Sequence, residues 1–232
     1  MIVTKYFEVD LFIEEIITHF KSFPEMQSLL QKYQRLLRDK NANYEENVLK
    51  QYSLEDMLQG VENQSFTKAF PLGSRGELGY YNLTWNVPKL ETVIDDFEIL
   101  PQAFPTDMLA EDAVNNGVNM DKIDTSLKNE KPVIIVHHPT ARHWNKYSGI
   151  LVDGNHRVLR NKKVGKLKTL ACRLEAPFHI KGLFTELDVF LYKLISNVEA
   201  MHTALTVLKQ TTSKNKQIEI KKLLPKMLYE IN

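Results

Sequence analysis

The chain has 232 residues, 43% hydrophobic and 25% charged, with one cysteine and a formal net charge of +1, the balance of an ordinary globular protein with enough chain for one large domain or two small ones. No run approaches the roughly 20 apolar residues needed to span a bilayer, and acids stand in residues 1–10 where a signal peptide carries its apolar core, so no membrane partner and a cytoplasmic location are expected. The lone Cys172 excludes an intrachain disulfide and suits a reducing compartment.

The near-zero net charge conceals a split. Residues 1–120 carry 10 Lys and Arg against 19 Asp and Glu, and residues 121–232 carry 20 against 10. The positive half suits a polyanionic partner such as DNA. Mutual neutralisation of the two halves across an internal contact would explain the split equally well.

In chain order, Asp10 precedes an amphipathic run over residues 11–20 and predicts a capped helix. Pro24 sits in the first turn of a second helix, with an apolar stripe of Met26, Leu29, Leu30, Tyr33, Leu36 and Leu37. A third helical segment is expected over residues 43–59, with a capping pattern at Ser53 to Asp56. These helices offer a surface for a protein partner. From residue 60 to 87 the helical period is lost, and a turn-rich connector over 71–79 leads to a strand over 80–85. Gly73-Ser-Arg-Gly76 lacks the Lys-Ser/Thr and the following helix of a phosphate loop.

Helices are predicted over 88–99 and over 106–116, the second stopped by Gly117. A short helix over 120–129 follows. Residues 132–137 form a continuous apolar run of strand length. A polar loop over 138–146 leads to a strand over 147–152, a turn at Asp153-Gly154, and a helix over 155–163 ended by Gly165. A strand over 168–175 carries Cys172 as a buried thiol. An amphipathic helix over 185–210 and a basic helix with Lys214, Lys216, Lys221, Lys222 and Lys226 close the chain. Those lysines form either a solvated face or a contact with nucleic-acid backbone.

The stretch Ile150-Leu-Val-Asp-Gly-Asn-His-Arg157 is the most informative. A strand that turns on a glycine into a helix leaves backbone N–H groups unpaired at the helix start, where the dipole also favours an anion. His156 and Arg157 in that first turn oppose the dipole unless the guest is a phosphate. A surface turn with solvated His and Arg is the plain alternative.

The order helix, strand, loop, strand, Asp-Gly-x-His-Arg, helix, Gly and strand resembles the ParB/sulfiredoxin superfamily over residues 97–175. Residues 132–136 and 151–160 carry the signature, and residues 97–101 stand where the superfamily has its first strand. The resemblance implies an α+β fold: a small mixed β-sheet of ParB/sulfiredoxin type over 96–180, with an N-terminal helical region over 1–95 and a C-terminal helical extension over 181–232. It further implies a nucleotide (ATP, ADP or CTP) held with Mg²⁺. Gly154, Asn155, His156, Arg157 and Arg160 would hold the phosphates, Asp153 the metal, and Asp153 and His156 would carry any catalysis.

Members of the superfamily include sulfiredoxins, partition proteins that bind CTP, free serine kinases, nucleases, and proteins with an Asp-Gly-Gln-His-Arg box linked to DNA modification. The implied function is therefore phosphoryl transfer or cleavage by a nuclease, kinase or NTPase. The alternative is a non-enzymatic DNA-associated module. Sulfiredoxin's nucleophilic Cys falls on Asn155, and Cys172 lies on the next strand, so sulfinic-acid repair is not expected. Glu130 and Glu175 are candidates for a further catalytic acid. His137, His138, His143 and His156 either assemble a metal site with Asp153 or flank a polyanion. Arg142 and Trp144 either stack on a base or belong to an ordinary surface loop.

Overall fold

A computed structural model of the chain describes residues 9–20, 24–43, 65–72, 79–126, 130–143 and 145–231. In order, the elements are α1 (Val9–His19), α2 (Pro24–Asn43), β1 (Ser65–Pro71), β2 (Tyr80–Asn86), α3 (Val87–Asp96), β3 (Gln102–Pro105), α4 (Thr106–Asn115) and β4 (Val133–His137). They continue with β5 (Gly149–Asp153), α5 (Asn155–Lys163), β6 (Lys168–Leu174), α6 (Ala176–His179), α7 (Glu186–Gln210) and α8 (Lys214–Met227). The fold is mixed α+β with small sheets. No helix among the described residues is long and apolar enough to cross a membrane.

The chain forms two compact units, one of residues 1–63, 67–84 and 184–232, the other of 64–66 and 85–183. Helices α1, α2, α7 and α8 thus share a unit, whereas the sequence divides at 95 and 180 into three parts. In that first unit Phe12, Ile13, Ile16 and Phe20 of α1 are buried with Met26, Leu30, Tyr33 and Leu37 of α2. The apolar stripe open to a protein partner on sequence grounds is thus largely used within the chain. Pro24 opens α2 as expected, while Asp10 lies inside α1 rather than ahead of it. The segment 43–59 and the Gly73–Gly76 loop lie outside the described residues, apart from Asn43 as the last residue of α2. Thr185 and Asp188 close a capping box at the start of α7.

The second unit holds a four-stranded sheet in the order β3-β6-β4-β5, parallel only between β4 and β6. On one face, Leu109 and Ala113 of α4 and Val158 and Leu159 of α5 pack with Val133, Ile135, Leu151 and Ala171. Ile134 and Val136 are buried as well, so β4 is covered on both faces. That double burial is why its sequence reads as an unbroken apolar run rather than an alternation.

Three expectations are corrected here. Residues 97–101 are not a strand: the Phe97 and Ile99 amides donate back to Val93 and Ile94 of α3 (3.2 and 2.9 Å), closing the helix end, and the four-stranded sheet begins with β3. Among the described residues of the span 120–129, helix is reduced to one 3₁₀ turn, Met120–Lys122. The Asp124 carboxylate then accepts from the Ser126 amide (2.8 Å) and hydroxyl (2.7 Å), a local turn that competes with helix. Strand β1 is an addition to the expected elements: its burial shows no alternation, only Phe70 being fully buried, so no period-two signal marks it.

Edge strand β3 is guarded by proline. The Thr106 amide donates to the Leu167 carbonyl (2.9 Å), which sets the phase of the β3–β6 ladder. Alternate amides point away from β6, at positions 101, 103 and 105. Two of these are Pro101 and Pro105, which have no N–H to offer another strand.

Candidate anion-binding cleft

Gly154 is the hinge between β5 and α5. It is the N-cap of α5 with φ +88° and ψ +19°, the left-handed region that favours glycine. A side chain there would also place its Cβ 2.8 Å from the Val133 Cβ and against the Val133 Cγ1. Both backbone and packing therefore demand glycine. The first intrahelical bond runs from the Val158 amide to the Gly154 carbonyl (2.9 Å), and no side chain caps the helix start. The amides of Asn155, His156 and Arg157 are the free donors that any uncapped helix presents.

The three residues line a cleft of about 530 Å³, whose wall also includes Asp153 and Arg160, with Phe66 and Asp124. Every position named from the Asp-Gly-Asn-His-Arg turn thus lines one cleft, and Arg160 joins from the next turn of α5. His156 is exposed, Asp153 and Asn155 are half-buried, and Arg160 is buried. Hydrogen bonds from Ser126 hold the Asp124 carboxyl below its ordinary range.

Arg157 is used in a way that the sequence does not announce. Its Nη1 donates to the carbonyls of Lys131 (2.9 Å) and Pro132 (2.8 Å), and Nη2 lies 3.6 Å from the Asp153 carboxylate. The side chain is 12% exposed. It staples the start of α5 to the residues leading into β4 and leaves a buried Nε with no partner among the described residues.

Asn116, which sequence reasoning read only as the end of a helix, is the residue it missed. As the C-cap of α4 it lines the cleft and donates from Nδ2 to the Leu151 carbonyl (3.1 Å) and the Asn155 Oδ1 (2.9 Å). Beside it, the buried Asp112 carboxylate accepts from the Tyr147 hydroxyl and the Leu151 amide (3.0 Å), locking β5 to α4. Burial first, and then the Asp112 charge, drive the Tyr147 phenol far above its ordinary range.

The histidines do not converge. His138 is fully buried and its Nδ1 is 3.0 Å from the Thr140 hydroxyl, whereas His143 and His156 are exposed. Among the described residues no group of three His, Cys, Asp or Glu could hold a metal ion. Trp144 and the Arg142 side chain lie outside the described residues. Glu130 pairs with Lys166 (3.4 Å) and Glu175 with Arg173 (2.8 Å), and neither lines the cleft. Cys172 is buried with its thiol 3.7 Å from the Ile99 carbonyl, and burial raises its pKa, the setting of a structural thiol.

No protein-family model matches the chain, and no curated protein or solved structure shows a significant likeness to it.

Proposed function

We propose that this chain is a nucleotide-binding protein of ParB/sulfiredoxin type that holds the phosphates of ATP, ADP or CTP at the start of α5 and cleaves or transfers a phosphoryl group there. One observation carries the reading: a glycine-opened, uncapped helix start faces a cleft of about 530 Å³ also lined by His156 and Arg160. Phosphoryl transfer needs chiefly positioning and charge neutralisation, and this set of groups supplies both. The α5 amides and the Asn155 and His156 side chains grip phosphate oxygens, and Arg160 supplies a fixed positive charge. Arg157 acts indirectly, by holding Asp153 and the helix start in register.

Asp153 suits Mg²⁺ of one kind. A single half-exposed carboxylate already near Arg157 does not make a standing metal centre, but Mg²⁺ commonly rides on a nucleotide with one or two protein carboxylates and several waters. Bound that way, the ion would screen the phosphate charge, with Asp153 as its protein ligand. In this reading His156, exposed at the second position of α5, would donate a proton to a departing oxygen.

The test is the melting point of the purified protein with ATP, ADP and CTP, with and without Mg²⁺, since a ligand favouring the native state raises it. A melting point unmoved by every one of these removes the reading.

The five lysines of α8 are all exposed, which supports a second reading as a DNA-associated module. It predicts DNA binding that weakens steeply with salt and with neutralisation of Lys221, Lys222 and Lys226. Binding insensitive to salt counts against it.

A further inference from the structure

We infer that Asn116 is a positioning residue that sets the polarity of the cleft, by turning the Asn155 carboxamide so that its Nδ2 end, not its oxygen, faces the guest. The orientation follows from one main-chain group. The Leu151 carbonyl oxygen only accepts, so the Asn116 atom 3.1 Å from it is Nδ2. The second hydrogen of the same Nδ2 points to Asn155 at 2.9 Å, so the Asn155 atom there is its acceptor, Oδ1. The Asn155 Nδ2 is left directed elsewhere, with no partner among the described residues. Asn155 is half-buried, stands first in α5 and lines the cleft.

The device is rigid at its root. Leu151 is held by its amide to the buried Asp112 and by its carbonyl to Asn116, so Asn116 cannot turn over without breaking with β5. The position after Gly154 therefore presents donors only, in line with the free α5 amides. A guest group at that position must bring an acceptor, as a phosphate oxyanion or carbonyl does. This assignment rests on the nucleotide reading for the identity of the guest, but not for the direction of the amide.

The experiment has two arms. In the first, MgATP and MgCTP are titrated into the parent protein and into Asn155→Ala, Asn155→Asp, Asn116→Ala and the Asn116→Ala/Asn155→Ala pair. Loss of one donor in Asn155→Ala weakens binding about 5- to 10-fold. Asn155→Asp weakens it more, because a carboxylate then faces the phosphate. Asn116→Ala weakens binding in the parent and adds nothing in the Asn155→Ala background, a non-additivity that a general structural effect would not produce. Binding by Asn155→Asp within twofold of the parent, or additive losses in the pair, overturns the assignment. Should Asn116→Ala not fold, the two Asn155 variants still decide.

The second arm needs no ligand. In Asn155→Asp, the new carboxyl accepts from Asn116 at a helix start, so its pKa by NMR falls below the ordinary carboxylate value and rises by about one unit when Asn116→Ala is added. A pKa indifferent to Asn116 overturns the assignment whatever binds. If the parent binds neither nucleotide, the proposed function fails, and the second arm alone settles the direction of the amide.

Discussion

Two asparagines in the two units show opposite uses of the same side chain. Asn197 on α7 is 1% exposed and saturated: Nδ2 donates to the Tyr33 hydroxyl (2.8 Å) and the Tyr229 carbonyl (2.9 Å), and Oδ1 accepts from the Tyr229 amide (2.7 Å). It ties α2, α7 and the end of the chain together and has nothing left for a guest. Asn155 has only its oxygen engaged and stands in a cleft. Buried polar groups are normally satisfied, as Asn197 is, whereas the half-buried Asn155 keeps one end of its amide unpaired at the helix start.

The sharpest way to break that contrast is at the hinge. Gly154→Val meets both a positive φ and the Val133 side chain, and should cost about 4 kcal/mol by chemical denaturation and abolish nucleotide binding. A folded variant with parental affinity would show that the turn geometry is irrelevant to the guest.

A buried histidine gives the next largest effect. His179 is fully buried, its Nδ1 accepts from the Trp85 Nε1 (3.3 Å), and burial together with the nearby His137 lowers its pKa to about 3. Below an ordinary value near 6.5 the unfolded chain takes up a proton that the folded chain refuses, so stability is lost as pH falls from 6.5 towards 3. Between pH 7 and 4 this group should account for about 3 kcal/mol. Denaturation curves of His179→Gln should lack that part of the slope; an unchanged slope places the acid sensitivity elsewhere.

At the architectural asparagine, Asn197→Ala removes its hydrogen bonds to the Tyr33 hydroxyl and to both main-chain groups of Tyr229. The expected loss is about 2 kcal/mol of stability with nucleotide affinity unchanged. Altered affinity would dissolve the distinction between the two asparagines. Asp153→Asn should leave stability within about 1 kcal/mol, because its ion pair is partly exposed. It should keep nucleotide binding while removing phosphate release, as followed by a phosphate assay. The smallest effect is at α8, where Lys221→Ala with Lys222→Ala should change stability by no more than about 0.5 kcal/mol and leave nucleotide affinity alone.

Much of the second unit was legible because its signals are local. The apolar run of β4, the Asp153-Gly154 break, the α5 boundaries and the stop at Gly165 each rest on neighbours within a few residues. The cleft-lining positions from Asp153 to Arg157 followed from that same local turn. What failed depended on distant partners. Nothing near Arg157 in the chain says that its guanidinium turns to the carbonyls of Lys131 and Pro132, 26 and 25 residues away. Asn116 reads as a helix stop, and its link to Asn155 spans 39 residues.

Composition, periodicity and turn chemistry by themselves determined a chain of both helices and strands with a glycine-broken strand-to-helix turn, because these features are set by local backbone preference and by the spacing of apolar residues. Tertiary structure alone decided which strands are neighbours, that α1 and α2 share a unit with α7 and α8, that Arg157 staples the start of α5 to the residues before β4, and which end of Asn155 is left open. Those outcomes depend on hydrogen-bond and packing partners brought together from far along the chain, and no local pattern encodes who the partner will be.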